Sequence, residues 1–511
     1  GGLTTTGNNV AIGYDALGTA SNADYMIAIG NYALDAVAGN AQAGDIAIGY
    51  NALTSVTSGA GNLAVGYQAG QFLTTGGANT FVGHLSGTGI TGTKLTGDYN
   101  TCLGYYAGND LQGAAASNIL IGNDAGAILK TGAGNVVIGS NAFDAADGDE
   151  SDNIAIGKSA MGAANGSNVS DCVAIGHSAL SAATTYANEI AIGEDAMVAW
   201  TGTGTGSATK GYNIAIGGNA MDANTSGARN IAIGYDALGD MNVENNAQSQ
   251  NIAIGHDAGR VITTGTDNVF MGYAAGGDGS KSLTGAQNVG VGMSAGNDLD
   301  GDASNNTLVG GYAGSQVTSG TKNTCIGYSA APDDATGTNQ TLIGYDCQGI
   351  GDHYAVIGDG NTTRLYAADD VGATLYAGSA TVQTSDRRIK EDIKDSSLGL
   401  RFVNQLRAVE YKKRQPEDYD DSLKKEMNWY KNGRKPRVLD ELDKNKCRTG
   451  FIAQEVGEVL SGMSYDDNND IVEIDESNTQ QMIAYSKLVP PLVKAIQELS
   501  AKVEELEAKL K

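Results

Sequence analysis

The stretch TVQTSDRRIKEDI, residues 381–393, gathers residue types that can break a bond. Ser385 supplies a hydroxyl and Lys390, five positions later, an amine. A serine hydroxyl becomes a nucleophile when a base takes its proton. Residues 385–511 contain no histidine, so a Ser-His-Asp arrangement within that tail is excluded. Lysine can serve if its amine is neutral, and the neighbouring cations Arg387 and Arg388 push its pKa in that direction. Spacing alone leaves a second reading open, because Ser385 or Thr384 equally suits the N-cap of a helix over DRRIKEDI.

Two very different stretches of chain must position that pair. The 511 residues include 73 glycines and only 5 prolines, a bias that points to repetition. The formal charge of −26 is uneven: residues 1–384 carry 9 Lys/Arg against 33 Asp/Glu, and residues 385–511 carry 23 against 25. An acidic surface repels phosphate backbones and anionic membranes, so nucleic acid is not expected as a partner. No stretch approaches the roughly 20 apolar residues of a membrane helix, and no membrane insertion is expected. The chain opens without Met or a signal peptide, and a leader or virion-anchoring segment is expected to lie outside it. Cys102, Cys172, Cys325, Cys347 and Cys447 are too scattered for a disulfide framework or a zinc pair, and are predicted free and buried. No cofactor and no metal site are expected.

Before the junction the sequence repeats. A glycine closing an NIAIG-like run falls at twenty positions from Gly13 to Gly358, most often 17 residues apart. The residue before each glycine is Ile, Val, Leu or Met, and two positions earlier stands usually Ile, Val or Thr, a period of 2 that predicts a short strand. The residue between them is apolar or small, typically Ala, with Phe81, Leu120, Val137 and Phe270 as larger examples, so both faces are predicted to need burial. A narrow coil buries one face, and identical chains around a common axis would bury the other. Asn stands four before the glycine in fourteen copies, where stacked coils would form an amide ladder, and Ala stands three after it in seventeen. Twenty strands spaced about 4.8 Å apart make a shaft of roughly 95 Å.

Several shaft features invite chemical readings. His84, His177 and His256 share the register directly after the repeat glycine with Tyr14, Tyr50, Tyr67, Tyr105, Tyr235, Tyr273, Tyr328 and Tyr345. This column reads either as a glycan-stacking or metal-binding row, or as packing between coils. The segment Asp298–Asp302, DLDGD, has its glycine misplaced for a calcium loop and reads as a solvated turn, as does the acidic run 144–153. Trp200 sits in the longest excursion between coils, where an exposed ring would contact a sugar and a buried one would cap an apolar patch.

NTCIGYSA, NIAIGYDAL and NVVIGSNAF resemble the coils of trimeric autotransporter adhesin heads and of many phage tail fibres. The resemblance covers residues 1 to about 360, and the 17-residue period is closer to the phage type. Both families are trimers, so the resemblance implies a homotrimer.

The tail carries a second resemblance. TSDRRIKEDI, GFIAQEV and YSKLVPPLVKAIQEL, in this order, closely resemble the C-terminal intramolecular chaperone domain of phage tail fibres and tailspikes, first recognised in endosialidases and shared with myelin regulatory factor. That domain drives trimerisation of the preceding β-structure and then cuts itself off. The resemblance implies Ser385 as nucleophile on the carbonyl of Thr384, Lys390 as general base, and Asp386 and Arg388 as supports in the SDxR signature. Gln454 and Glu455 match the AQE segment, with a structural role.

Residues 485–511 carry a heptad seam, with Leu492, Leu499 and Leu506 at d and Ile496, Val503 and Leu510 at a. The a/d preference alone leans to dimers, and the longer shaft argues for trimers. The expected organisation is a mainly β chain: a trimeric repetitive β-coil shaft over 1–358, a β tip or linker over 359–384, and a small α+β, mostly helical chaperone domain over 385–511 ending in a coiled coil, 488–511. The expected function is a structural, host-recognising virion tail fibre, extracellular, whose tail folds the trimer and is released by single-turnover autoproteolysis. Its partners would be a bacterial surface glycan or protein receptor and further tail or baseplate proteins. Tyr354, Arg364, Tyr366, Tyr376 and Trp200 are candidate receptor contacts. The alternatives are a bacterial surface trimeric adhesin and a polysaccharide-degrading tailspike, the latter needing two carboxylates flanking a cleft.

Overall fold

The computed structural model describes residues 7–19, 23–37, 42–165, 169–182, 188–201, 211–242, 249–277, 279, 281–359, 361–362, 393–415, 418–419, 444–463, 465, 471–474 and 481–510. The chain divides into two compact units, Gly1–Thr362 and Thr363–Lys511.

The first unit is a β-solenoid. One three-residue strand per repeat, from Val10–Ile12 to Ala355–Ile357, stacks on the next in a single parallel sheet of twenty strands. Pairing is in exact repeat register, as in Ile119↔Val136↔Ile154. The turn that follows each strand is wound through left-handed backbone, for example Asp236 (φ 53°) and Leu238 (φ 53°). Non-glycine residues adopt that region at a cost. Leu238 is fully buried, and burial of its side chain offsets the strain.

The repeat glycine is required by close approach. At Gly66 (φ +144°) a Cβ would stand 2.1 Å from the carbonyl oxygen of Gly83 in the next coil. A side chain there would separate the coils.

Between the first and last strands, the interior of the solenoid holds the middle residue of each strand, such as Ala28, Phe81, Leu120 and Ala232, all fully buried. The residues flanking it face outward and remain half-buried or exposed, with Ile12 60 % and Leu103 45 % exposed. The facing is therefore one-sided within a chain, and the β-branched rows are left as an apolar stripe along the shaft.

The Asn column is a buried ladder, unbroken from Asn62 to Asn153 and from Asn213 to Asn323. Asn118 donates its backbone N–H and its Nδ2 to Oδ1 of Asn100, at 3.2 and 3.0 Å, and accepts the same pair from Asn135, both at 3.0 Å. Its Nδ2 also donates to the carbonyl of Gly132 at 2.8 Å. Each amide is thereby satisfied in a site that water does not reach. Oδ1 of Asn153 accepts the backbone N–H of Cys172 at 3.2 Å, and the column resumes at Asn213 after Cys172 and Glu189.

Trp200 is 2 % exposed and belongs to the apolar interior. The sugar-contact reading needed an exposed ring and is corrected here: the indole packs inward and caps the core.

In the second unit the described elements are three helices, α1 (Leu400–Val403), α2 (Ala453–Gly462) and α3 (Val489–Leu510), and two antiparallel strand pairs. Val409–Tyr411 pairs with Arg448–Gly450, and Val472–Ile474 with Gln481–Ile483. Leu398, Phe402, Val456, Leu460, Ile471 and Leu488 form their common core.

Candidate functional site

The Ser-Lys pair and its surroundings, Thr384, Ser385, Asp386, Arg388 and Lys390, lie outside the described residues, as do Arg364, Tyr366 and Tyr376. Of the remaining predicted site residues, Gln454 and Glu455 fall in the first turn of α2 and Tyr354 at the end of the shaft.

The α2 helix is amphipathic, with Val456 and Leu460 buried on the core face. Glu455 projects from its first turn to Arg407. Arg407 Nε donates to Glu455 Oε2 at 3.0 Å and Arg407 Nη2 donates to Oε1, a bidentate pair. The hydrogen bonds from Arg407 hold the Glu455 carboxyl below its usual range. Gln454, beside it, is exposed. The two residues of the AQE segment thus differ: one ties α2 to the segment between α1 and the strand Val409–Tyr411, and the other faces solvent.

The GFI segment before α2 is held from the other side. The backbone N–H of Phe451 donates to the Tyr485 hydroxyl at 3.0 Å, and the two rings lie 6.1 Å apart. At the start of α1 the backbone N–H of Leu400 donates to Glu498 Oε2 at 2.8 Å, so a carboxylate of α3 satisfies an N-terminal donor of α1. Arg407, Val409, Glu410, Tyr411, Phe451 and Ile452 line an open groove of about 350 Å³ on this unit. Sequence reasoning did not single out Arg407, Tyr485 or Glu498. Their partners are 48, 34 and 98 residues away, so no local pattern marks them.

The seam of α3 is open: Ile496 is 64 % and Leu499 51 % exposed, and Leu492, Val503, Leu506 and Leu510 are exposed as well. No helix among the described residues is long and apolar enough to cross a membrane.

On the shaft, the aromatic column stacks on itself. Tyr50 and Tyr67 are 5.4 Å apart, Tyr67 and His84 5.1 Å, and His84 and Tyr105 5.1 Å, with interplanar angles of 11–13°. From Tyr50 to Tyr105 the ring faces are turned on one another, which disfavours stacking of a sugar on that run, whereas Tyr14 and Tyr32 meet edge to face. Tyr354 is exposed. Asp300, in DLDGD, accepts the backbone N–H groups of Ser282 and Gly301 at 3.0 and 2.9 Å, and those bonds hold its carboxyl below the usual range. The turn reading is the one this geometry supports. Among the described residues no three His, Cys, Asp or Glu side chains are grouped to hold a metal ion.

Residues 385–464 match the family described as chaperone of endosialidase, Peptidase_S74. Over 143 residues, 27 % of its length, the chain is 31 % identical to Myelin gene regulatory factor-like A of Dictyostelium discoideum. The aligned part spans 13 % of that protein.

Proposed function

We propose that this chain is a trimeric, host-recognising tail fibre of a bacteriophage, folded by its C-terminal domain and then freed from it by cleavage between Thr384 and Ser385. The observation that carries the reading is one of placement: the chaperone-of-endosialidase match begins at Ser385, after a β-solenoid of twenty coils.

A folding aid suits such a shaft for a physical reason. Twenty near-identical strands can pair one coil out of step, within a chain and between chains. A trimeric cap at one end sets the register before the coils zip. Two apolar surfaces support assembly: the outward rows of the solenoid, where Ile119, Met271, Ile326 and Ile343 are 38–40 % exposed, and the open seam of α3. Apolar stripes of this length mark contact sites. The coiled coil over 488–511 would be formed by three copies of α3, and residues 359–384 would be the receptor-binding end after cleavage.

In the proposed reaction Lys390, neutral beside Arg387 and Arg388, takes the Ser385 proton. Ser385 Oγ then attacks the Thr384 carbonyl carbon, and the peptide bond gives way to an ester. Water hydrolyses that ester, leaving a carboxylate on Thr384 and a free amine on Ser385. Asp386 and Arg388 would hold the pair. Loss of the cap removes the route by which the fibre folded, so the shaft persists kinetically.

The test is intact mass and denaturing electrophoresis of wild type beside Ser385→Ala. Wild type is expected as two fragments meeting at Thr384 and Ser385, and the variant as one full-length chain. A wild-type chain that is trimeric and stays whole overturns the cleavage.

A further inference from the structure

Two rungs of the buried ladder are acids. Asp45 and Glu189 occupy the Asn register, and both are fully buried. We propose that these carboxyls are proton-carrying rungs: each is folded in its neutral form, and ionisation loosens the solenoid at that coil.

The geometry of an ordinary rung shows why. An Asn rung uses its oxygen to accept from the next coil and its NH2 to donate to the previous rung and to a carbonyl, as Asn118 does. Asp45 reproduces the accepting half: its Oδ1 takes the backbone N–H of Asn62 at 2.6 Å and Asn62 Nδ2 at 3.2 Å. Glu189 does the same with Oε2, which takes the Asn213 N–H at 2.9 Å. Among the described residues the second oxygen of each, Asp45 Oδ2 and Glu189 Oε1, is buried with no hydrogen bond of ordinary geometry. An oxygen that can only accept stands where the ladder uses a donor. A proton on it restores the missing donor.

At Glu189 the backbone N–H groups of Gly211 and Tyr212, with Asn213, favour the charged form, and burial outweighs them. Among the described residues neither carboxyl has an ion-pair partner within the salt-bridge distance. Asp45 faces the neutral amide of Asn62. Glu189 faces Asn213 and the backbone of Gly211 and Tyr212, and in the preceding rung Cys172, whose thiol burial pushes up to about 12. Burial drives the Asp45 carboxyl up to about 6 and that of Glu189 up to about 8, against the hydrogen bonds from Asn62 and Asn213. Both acids ionise earlier in the unfolded chain than in the folded one. Stability is therefore fullest below the unfolded values, 3.8 and 4.5, falls as pH rises through about 6 at Asp45 and about 8 at Glu189, and levels off above that.

Hydrogen exchange on the full-length protein reads each rung. Protection of the Asn62 and Asn213 amides, corrected for intrinsic rate, is compared between about pH 5 and about pH 9 with that of the Asn118 and Asn268 amides as internal references. Protection at Asn213 is expected to fall about tenfold or more while Asn268 holds, with a smaller fall at Asn62. Asp45→Asn and Glu189→Gln should each abolish the fall at its own rung and leave the other. Equal protection at both pH values, or a fall that survives the substitution, overturns the proposal. Infrared spectroscopy of the wild type checks it without any variant. The buried neutral carboxyl of Glu189 should give its carbonyl band at neutral pH and lose it in alkali, and absence of that band at neutral pH overturns it equally.

Discussion

Phe81 fills the space that Gly87 leaves empty: a Cβ on Gly87 would stand 2.2 Å from Phe81 Cδ1. The two belong to one coil and are complementary in volume. Where the middle strand residue is Phe81, Leu120, Phe270 or Leu308, the residue four after the repeat glycine is Gly87, Gly126, Gly276 or Gly314. Where it is Ala28, Ala174 or Ala232, that residue is Leu34, Leu180 or Leu238. In these coils the interior is filled from one of the two positions; elsewhere neighbouring coils share the volume, as at Ala64 with Gly70, where a Cβ on Gly70 would stand 2.7 Å from both Leu53 and Phe81.

Gly87→Leu should therefore overpack its coil and destabilise the shaft by about 1–3 kcal/mol, with strain at φ +56° in addition. Combined with Phe81→Ala it recreates the Ala28 and Leu34 arrangement, and much of the loss should return. A double-mutant cycle by chemical denaturation reads the coupling. Purely additive losses would count against shared volume.

Asn118→Ala removes one rung and strands a donor above it. The backbone N–H of Asn135 loses its acceptor, while its Nδ2 keeps only the carbonyl of Glu150. Each buried unsatisfied group costs about 1–3 kcal/mol, so hydrogen exchange should accelerate at Asn135 well before it does at Asn268. Exchange unchanged at Asn135 would mean that the ladder is not a stabilising element.

The Arg407 and Glu455 pair sets an acid limit on the second unit. Glu455 is held below its usual 4.5, so its contribution is present above that value and lost as pH falls through the lower folded one. Both side chains are substantially exposed, so the effect is small and salt-sensitive. Glu455→Gln should flatten the acid limb of a Tm-against-pH curve while leaving the neutral and alkaline limbs in place. A limb of unchanged steepness assigns the acid response elsewhere.

The α3 seam should govern assembly. Leu499→Asp places a charge at a d position that is 51 % exposed in the single chain and would be enclosed between copies. Sedimentation velocity should show loss of the trimer during folding, with little effect on α3 of a monomer. A variant that assembles as readily as wild type would exclude the seam as the contact.

Much of the shaft was legible because every copy repeats the same local instruction. The apolar triplet before Gly66 or Gly234 is followed by a turn that no Cβ could share, and the Asn column could be read as a ladder before any contact was known. The second unit was less legible. Arg407 with Glu455, Phe451 with Tyr485 and Leu400 with Glu498 are contacts across 34–98 residues, and nothing near any of these residues announces its partner.

By itself the sequence determined the number of coils, the position of each strand and the Asn register, since local propensity and a fixed period suffice for those. Only the tertiary structure decided which strand face points inward, because a triplet apolar at all three positions is silent on its own orientation. It also decided that Trp200 is interior, that the rings from Tyr50 to Tyr105 turn their faces on each other, and that two acids stand in a ladder of amides. Each of these depends on what the neighbouring coil presents, and burial is a property of that neighbour as much as of the residue.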